Sequence, residues 1–311
     1  MMAAARPCVL VFAGLDPSGG AGLTADVQAV GAQGAHALAV ATALTVQDND
    51  RVFGVQPVDS AMVLRQARAL IGKIAVSAVK IGITGSAANA RAVADLIAEL
   101  RVRQPALPVV LDPVLASGHG DLLSRDDAVL ALSPLLPLAT VITPNGPEAQ
   151  ALTGATQPRA QAQALHARGC RQVLITGGHG TGYNIINRWF AQGAAAGAAD
   201  AAAGAADDDV AGSAGTIAAG TAGEATGAAA DPGQDAGHAT AGAHAASPRD
   251  WRWPRLAGEF HGSGCTLAAA IAGQLALGRD TASALENAQQ YVYHALRDAY
   301  AIASGQRIPL R

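Results

Sequence analysis

Six apolar runs separated by helical patterns set the architecture that this chain can adopt. They are CVLVFAG, ALAVATALTV, AVKIGI, PVVLDPV, ATVITPN and RQVLITGG, bounded by Gly, Pro, Asp or Asn. Their apolarity is continuous rather than alternating, as strands covered on both faces require. The stretches between them predict helices over 22–32, 61–71, 87–102, 126–132 and 161–168, with Ser86 as an N-cap, and two more near 264–277 and 281–301. Strand and helix alternating over 311 residues imply an α/β fold with a mainly parallel sheet and helices on both faces. YNIINRWF and DWRWPRL read as two extended segments of a hairpin.

The net charge of −3 is unevenly spread. No Lys or Arg lies between Arg188 and Arg249, a stretch that holds Asp200, Asp207, Asp208, Asp209, Glu224, Asp231 and Asp235. Without these acids the chain has 21 basic and 17 acidic residues. Residues 193–246 are almost wholly Ala, Gly, Thr, Ser and Asp. Such a segment cannot bury enough apolar area to offset its ordering entropy, so a disordered insertion in a hairpin tip is expected. The domain organisation read from this is one domain over 1–311, interrupted at about 191–250.

Aromatic residues make up only 4% of the chain, which with the small net charge argues against a nucleic-acid partner. No apolar run reaches the roughly 18 residues of a membrane span. The three cysteines form no disulfide framework and fit a reducing compartment, and the apolar start reads as a first strand rather than a leader. A cytoplasmic protein with no membrane partner is expected.

In open α/β sheets chemistry gathers at the carboxyl ends of the strands. The first run leads into Gly14, Asp16, Pro17, Ser18, Gly19, Gly20 and Gly22, then Asp26. Gly14 and Gly19 have P-loop spacing, but Gly20-Ala21 stands where Lys-Ser/Thr is required, so the P-loop reading fails. A turn that lets the backbone approach a small ligand and a plain strand-to-helix turn both remain open. Asp26, in an apolar helical stretch, reads alone as an exposed helix carboxylate. Gln47 offers an amide suited to a ring with adjacent nitrogen and amino groups, or is an ordinary loop residue. Asp112 ends the fourth run, and Asn145 and Glu148 stand three apart where a helix begins. That pair suits waters around Mg²⁺, or equally a turn with a first-turn Glu.

The segment HGSGCTLAAAIAG places Gly262 and Gly264 before an apolar helix, where backbone N–H groups converge on an anion. Cys265 falls in the first turn, where the helix dipole lowers a thiol pKa, so it reads as a base toward a hydroxyl or as a small buried residue. His261 receives no role. A Cys–His hydrolase finds no local signature.

In this order AGLDPSGGAGLTAD, TALTVQ, AVKIGI, VVLDPV, ITPNGPEA, ITGGHG and HGSGCTLAAAIA resemble the hydroxymethylpyrimidine/phosphomethylpyrimidine kinases, ribokinase-like enzymes of thiamine biosynthesis. The resemblance spans nearly the whole chain apart from about 191–250. It implies a three-layer fold, a homodimer, Mg²⁺, and two ATP-dependent phosphorylations, of a hydroxymethylpyrimidine and then of its monophosphate. It further implies Gly14, Asp26 and Gln47 at the pyrimidine, Cys265 as base, and Gly262 and Gly264 in an anion hole. Asn145 and Glu148 match a magnesium-associated motif, Asp112 falls near phosphates and metal, and Thr176 and Gly178 near the nucleotide. Departures from the pattern are Thr176 where Lys is frequent, Ile83 where Met is usual, and Ser263 for Thr. Arg188 and Arg252 read as phosphate ligands or, more simply, surface arginines, and Lys80 as a phosphate partner or a strand-end lysine reaching solvent. Pyridoxal kinase activity and a non-catalytic pyrimidine-binding protein are the rival readings.

Overall fold

Alternate residues of the central strands enter two separate cores. In β1 (Cys8–Leu15), Val9, Val11 and Ala13 face one core while Leu10 and Phe12 face the other. This is the period of a strand with both faces covered. The computed structural model describes residues 5–116, 119–121, 123, 127–178, 180, 182–192 and 248–311. The expected disordered segment at 193–246 lies outside the described residues.

The sheet order is β3-β2-β1-β4-β5-β6-β7-β8-β9, in which β2 is His36–Gln47, β3 Val52–Pro57, β4 Ala78–Ile81, β5 Val109–Leu111, β6 Val141–Ile142, β7 Gln172–Ile175, β8 Asn184–Ala191 and β9 Arg249–Pro254. Pairings from β2 through β7 are parallel, and β3, β8 and β9 join antiparallel at the two ends. On one face lie α2 (Ser60–Ile71), α3 (Ala87–Arg103) and α6 (Pro158–Ala167), which bury Val63, Val93, Ile97 and Leu165. On the other lie α1 (Gly22–Ala32), α7 (Ser263–Ala276) and α8 (Thr281–Arg297). Two shorter helices, α4 (Ala128–Ala131) and α5 (Gly146–Thr153), precede and follow β6. The mainly parallel sheet between helices is therefore observed as expected.

Every residue of α7 from Thr266 to Gly273 is buried, as a helix apolar on all sides must be. Its small residues let neighbours approach closely: a Cβ on Gly273 would stand 2.9 Å from the Cβ of Gln33. Ser86 caps α3 by accepting from the Asn89 N–H at 3.2 Å. Two elements depart from the sequence reading. β3 carries Gly54 and ends on Pro57, so this edge strand has no continuous apolar run to reveal it. α8 stops at Arg297 rather than 301, because the chain turns back and Tyr300 bridges to Ile308. Among the described residues no helix is long and apolar enough to cross a membrane.

β8 and β9 form the expected hairpin, with Trp189 opposite Arg249. The chain therefore leaves and re-enters the sheet at neighbouring points. Replacing 193–246 by a short Gly/Ser linker should keep stability level or raise it by about 1 kcal/mol, because a shorter loop costs less closure entropy. Melting temperatures of the two chains at low and high salt test this. A large drop at both would mean that the segment supplies specific contacts.

Candidate active site

The carboxyl ends of six strands open into one cleft of about 990 Å³. Gly14 and Asp16 line it from β1, Gln47 from β2, Ile83 after β4, Asp112 after β5, Asn145 after β6 and Thr176 after β7. Residues 262–265, at the start of α7, form the facing wall. The helix ladder begins with the Thr266 N–H donating to the Gly262 carbonyl at 2.9 Å. The N–H groups of Ser263, Gly264 and Cys265 thus have no helical acceptor. Gly262 itself has φ +76°, and a Cβ there would lie 2.1 Å from the Gly20 carbonyl oxygen. Two glycine loops from opposite ends of the chain therefore meet backbone to backbone, which only residues without side chains allow.

Asp16 holds this junction. Its carboxylate accepts from Ser18 N–H at 2.7 Å, the Ser18 hydroxyl at 2.9 Å and Ala21 N–H at 2.7 Å. His261 Nε2 lies 2.8 Å from its Oδ2, and the Gln47 side chain helps to favour its charged form. Burial works to raise its pKa, but His261, Gln47 and Ser18 outweigh that and bring the carboxyl down to about 2. The ordinary value is 3.8, so the stabilisation is complete above 3.8 and is lost as pH falls toward about 2. It amounts to about 2 kcal/mol. Asp16→Asn should lower stability by this amount at pH 7 and flatten the acid limb of the stability curve. An unchanged acid limb in urea titrations between pH 4 and 2 would refute the assignment.

Behind the cleft wall lies a buried charge cluster. Lys80 Nζ donates to Asp26 Oδ2 at 2.8 Å, and both side chains are wholly enclosed. Burial pushes the Asp26 carboxyl up to about 6, with the Lys80 charge opposing. Burial works to lower Lys80, but Asp26, Cys265 and Asp112 hold it above the ordinary lysine range. The pair is therefore ionised at neutral pH. Asp26 is no exposed carboxylate: it is wholly enclosed, with Oδ2 on Lys80 and Oδ1 left without a hydrogen-bond partner. The reading of Lys80 as reaching solvent is corrected in the same way.

Cys265 lies in the first turn of α7 as expected, half-buried at the cleft. Its ionisation runs opposite to the dipole argument. Burial pushes the thiol up to about 12; Lys80 opposes the rise, and Asp112 and Asp26 add to it. The Asp112 carboxyl beside the thiol is itself raised by burial, with the Lys80 charge opposing. Desolvation and two carboxylates outweigh one helix end.

Asn145 and Glu148 form a reciprocal capping box: Glu148 N–H donates to Asn145 Oδ1 at 2.8 Å, and Asn145 N–H to Glu148 Oε2 at 2.9 Å. Burial, then the charge of Asp112, raises Glu148 to about 8. Asp112 Oδ2 is buried with no hydrogen-bond partner. Two carboxylates that repel one another and an orphaned oxygen fit a hard divalent cation. Thr176 lines the cleft and bridges Asn145, and Gly178 has open space beside it. Arg188 pairs with Asp250 at 3.7 Å, and neither it nor Arg252 lines the cleft. Arg255 does line it, donating to the carbonyls of Gly178, Gly180 and Gly182 at 2.7–3.0 Å. The sequence reading gave no role to Asp16, His261 or Arg255. An Asp two residues before a Ser in a glycine turn was the one local signal.

Residues 16–239 and 227–310 match the family model described as phosphomethylpyrimidine kinase. The hydroxymethylpyrimidine/phosphomethylpyrimidine kinase of Mycobacterium tuberculosis is 42% identical over 179 residues, 56% of this chain and 64% of that protein. This chain therefore matches slightly less than two thirds of that relative's length. The protein of the same description from Mycobacterium leprae is 32% identical over 304 residues, 96% of this chain and 91% of its own. The structure of the pyridoxal kinase from Staphylococcus aureus in complex with AMP-PCP superposes with a TM-score of 0.72 at 21% identity, covering 98% of this chain and 93% of that one. At that identity the likeness shows the fold, which is the ribokinase-like arrangement expected.

Proposed function

The chain belongs to the phosphomethylpyrimidine kinase family, and on that premise we propose that it uses ATP to phosphorylate 4-amino-5-hydroxymethyl-2-methylpyrimidine and then the resulting monophosphate. This is the diphosphate-forming step of thiamine biosynthesis. One observation carries the reading: a ring-reading amide at Gln47 shares a cleft with a thiol, a carboxylate and a helix start presenting unpaired N–H groups. Phosphoryl transfer needs positioning and charge stabilisation more than covalent chemistry, and this cleft supplies both.

Beside Gly14 in the cleft, the Gln47 amide can both donate and accept, which suits the ring nitrogen and exocyclic amino group of a pyrimidine. Asp26 acts at one remove, by fixing Lys80. The hydroxymethyl group would lie toward Cys265, and the moving phosphoryl toward the N–H groups of 262–265. Thr176 and Gly178 would border the nucleotide, with Arg255 holding their loop in place. A magnesium ion near Asp112, with Asn145 and Glu148 orienting its waters, would neutralise the carboxylates and the phosphates. The Lys80 ammonium stands where it would stabilise a Cys265 thiolate, and that thiolate, formed by loss of the thiol proton to solvent, would take the hydroxyl proton. We further propose one kinase domain over 1–311, working as a cytoplasmic homodimer. An exposed apolar strip of Leu15, Leu44 and Val46 at the carboxyl ends of β1 and β2 supports the pairing.

An ADP-release assay with the pyrimidine, its monophosphate and pyridoxal tests the proposal. Turnover of both pyrimidines is expected. Turnover of pyridoxal alone would make the protein a pyridoxal kinase, and binding without turnover a pyrimidine-binding protein.

A further inference from the structure

Residues 306–311 run along the segment that precedes α7. His261 N–H donates to the Arg307 carbonyl at 2.9 Å, and Arg307 N–H to the Glu259 carbonyl at 2.9 Å. Ile308 packs over the glycine loop, where a Cβ on Gly20 would stand 2.6 Å from its Cδ1. This strap delivers Arg311 to the back of the loop junction. Its Nη2 donates to the Gly20 carbonyl at 2.6 Å, its Nε to Thr266 Oγ1 at 2.8 Å and its Nη1 to Gln28 Oε1 at 3.5 Å. Thr266 Oγ1 in turn donates to the Gly262 carbonyl at 2.7 Å.

Arg311 does not line the cleft. It holds the carbonyls of both glycine loops where they meet: Gly20 directly, in a peptide whose Ala21 N–H is already held by Asp16 at 2.7 Å, and Gly262 through Thr266, in the peptide that carries the Ser263 N–H at the cleft. Glycine peptides reorient readily, and an anion hole works only if its donors are aimed before the charge develops. We propose that Arg311 is a positioning residue for phosphoryl transfer, locking the Gly20 and Gly262 peptides so that the N–H groups of 262–265 point into the cleft. The proposal rests on the kinase reading above and adds to it a residue outside the cleft. Arginine suits the task because one rigid fork reaches three acceptors, which a lysine cannot do.

The test uses the full chain with the pyrimidine substrate and ATP. Arg311→Met is expected to lower kcat about ten- to hundredfold, the usual cost of a misaimed donor, while KM for the pyrimidine stays within about threefold. Arg311→Lys, which keeps the charge and one contact, should recover part of kcat. Thr266→Val removes the relay hydroxyl at nearly constant volume and should lower kcat similarly. Combining it with Arg311→Met should add little, because both act on one peptide. Gln28→Ala, which loses only the longest contact, should leave kcat unchanged.

Wild-type kcat in Arg311→Met, effects that multiply in the double variant, or a rise in KM with kcat kept would each overturn the proposal. Melting temperatures accompany each variant, and a kcat loss seen only where the fold is lost would overturn it too. An inactive parent chain would instead count against the kinase reading.

Discussion

Cys265→Ala should lower turnover at least tenfold and leave pyrimidine affinity largely intact, because a positioned base contributes about 10²–10⁴-fold and little ground-state binding. The thiol is half-buried at the cleft, near the Asp112 carboxylate. With its pKa pushed up to about 12, it is protonated in the ligand-free protein at neutral pH. Turnover should therefore rise with pH more steeply in the parent chain than in the alanine variant. Cys265→Ser, whose hydroxyl is a far weaker acid, should stay close to the alanine variant rather than recover activity. Near-parental turnover of Cys265→Ala in steady-state assays, with ADP release followed at saturating pyrimidine, would remove the thiol from the mechanism.

The largest loss of stability is expected from Lys80→Met. It leaves Asp26 enclosed without its 2.8 Å partner and takes the nearest cation from Asp112 and Cys265. Removing one member of a buried ion pair costs about 3–5 kcal/mol, because a charge remains that neither water nor protein stabilises. That is a large share of the roughly 5–15 kcal/mol that holds a domain folded. The site leaves little room for repair: a Cβ on the adjacent Gly82 would already lie 2.8 Å from Lys80 Nζ. The double variant Lys80→Met/Asp26→Leu removes both charges and should regain most of the melting temperature. Turnover should stay low in both variants, since the thiolate has lost its counter-charge. Equal melting temperatures for the parent chain and Lys80→Met would show that the pair contributes nothing net, and full turnover in the double variant would separate Lys80 from catalysis.

How much of this was legible in the chain differs from residue to residue. The apolar runs and their bounding residues marked β1, β2 and β4–β7, and their continuous apolarity marked a sheet covered on both faces. Glycines before an apolar helix marked the start of α7, and the strand ends marked the cleft that gathers Gly14, Gln47, Asp112, Asn145 and Thr176. These features are local, since each depends on residues a few positions apart and on a repeat of two or 3.6. β3 escaped notice because an edge strand with Gly54 and Pro57 lacks such a repeat.

Only the tertiary structure decided the partners and the charges. Lys80 meets Asp26 across 54 residues, His261 meets Asp16 across 245, and Arg311 meets Gly20 across 291. No periodicity relates such positions; they come together only when α1 and α7 pack on the strands and residues 306–311 run back along the segment before α7. Asp26 and Lys80 looked like surface charges because composition cannot show enclosure. Cys265 looked like a lowered thiol because the helix start is written in the sequence, whereas the desolvation and carboxylates that raise it are not. Periodicity and glycine placement are properties of neighbours along the chain, so the sequence determined the layers and the mouth of the site. Ionisation depends on the solvent excluded and on the charges that surround a group, and these exist only once the layers have closed.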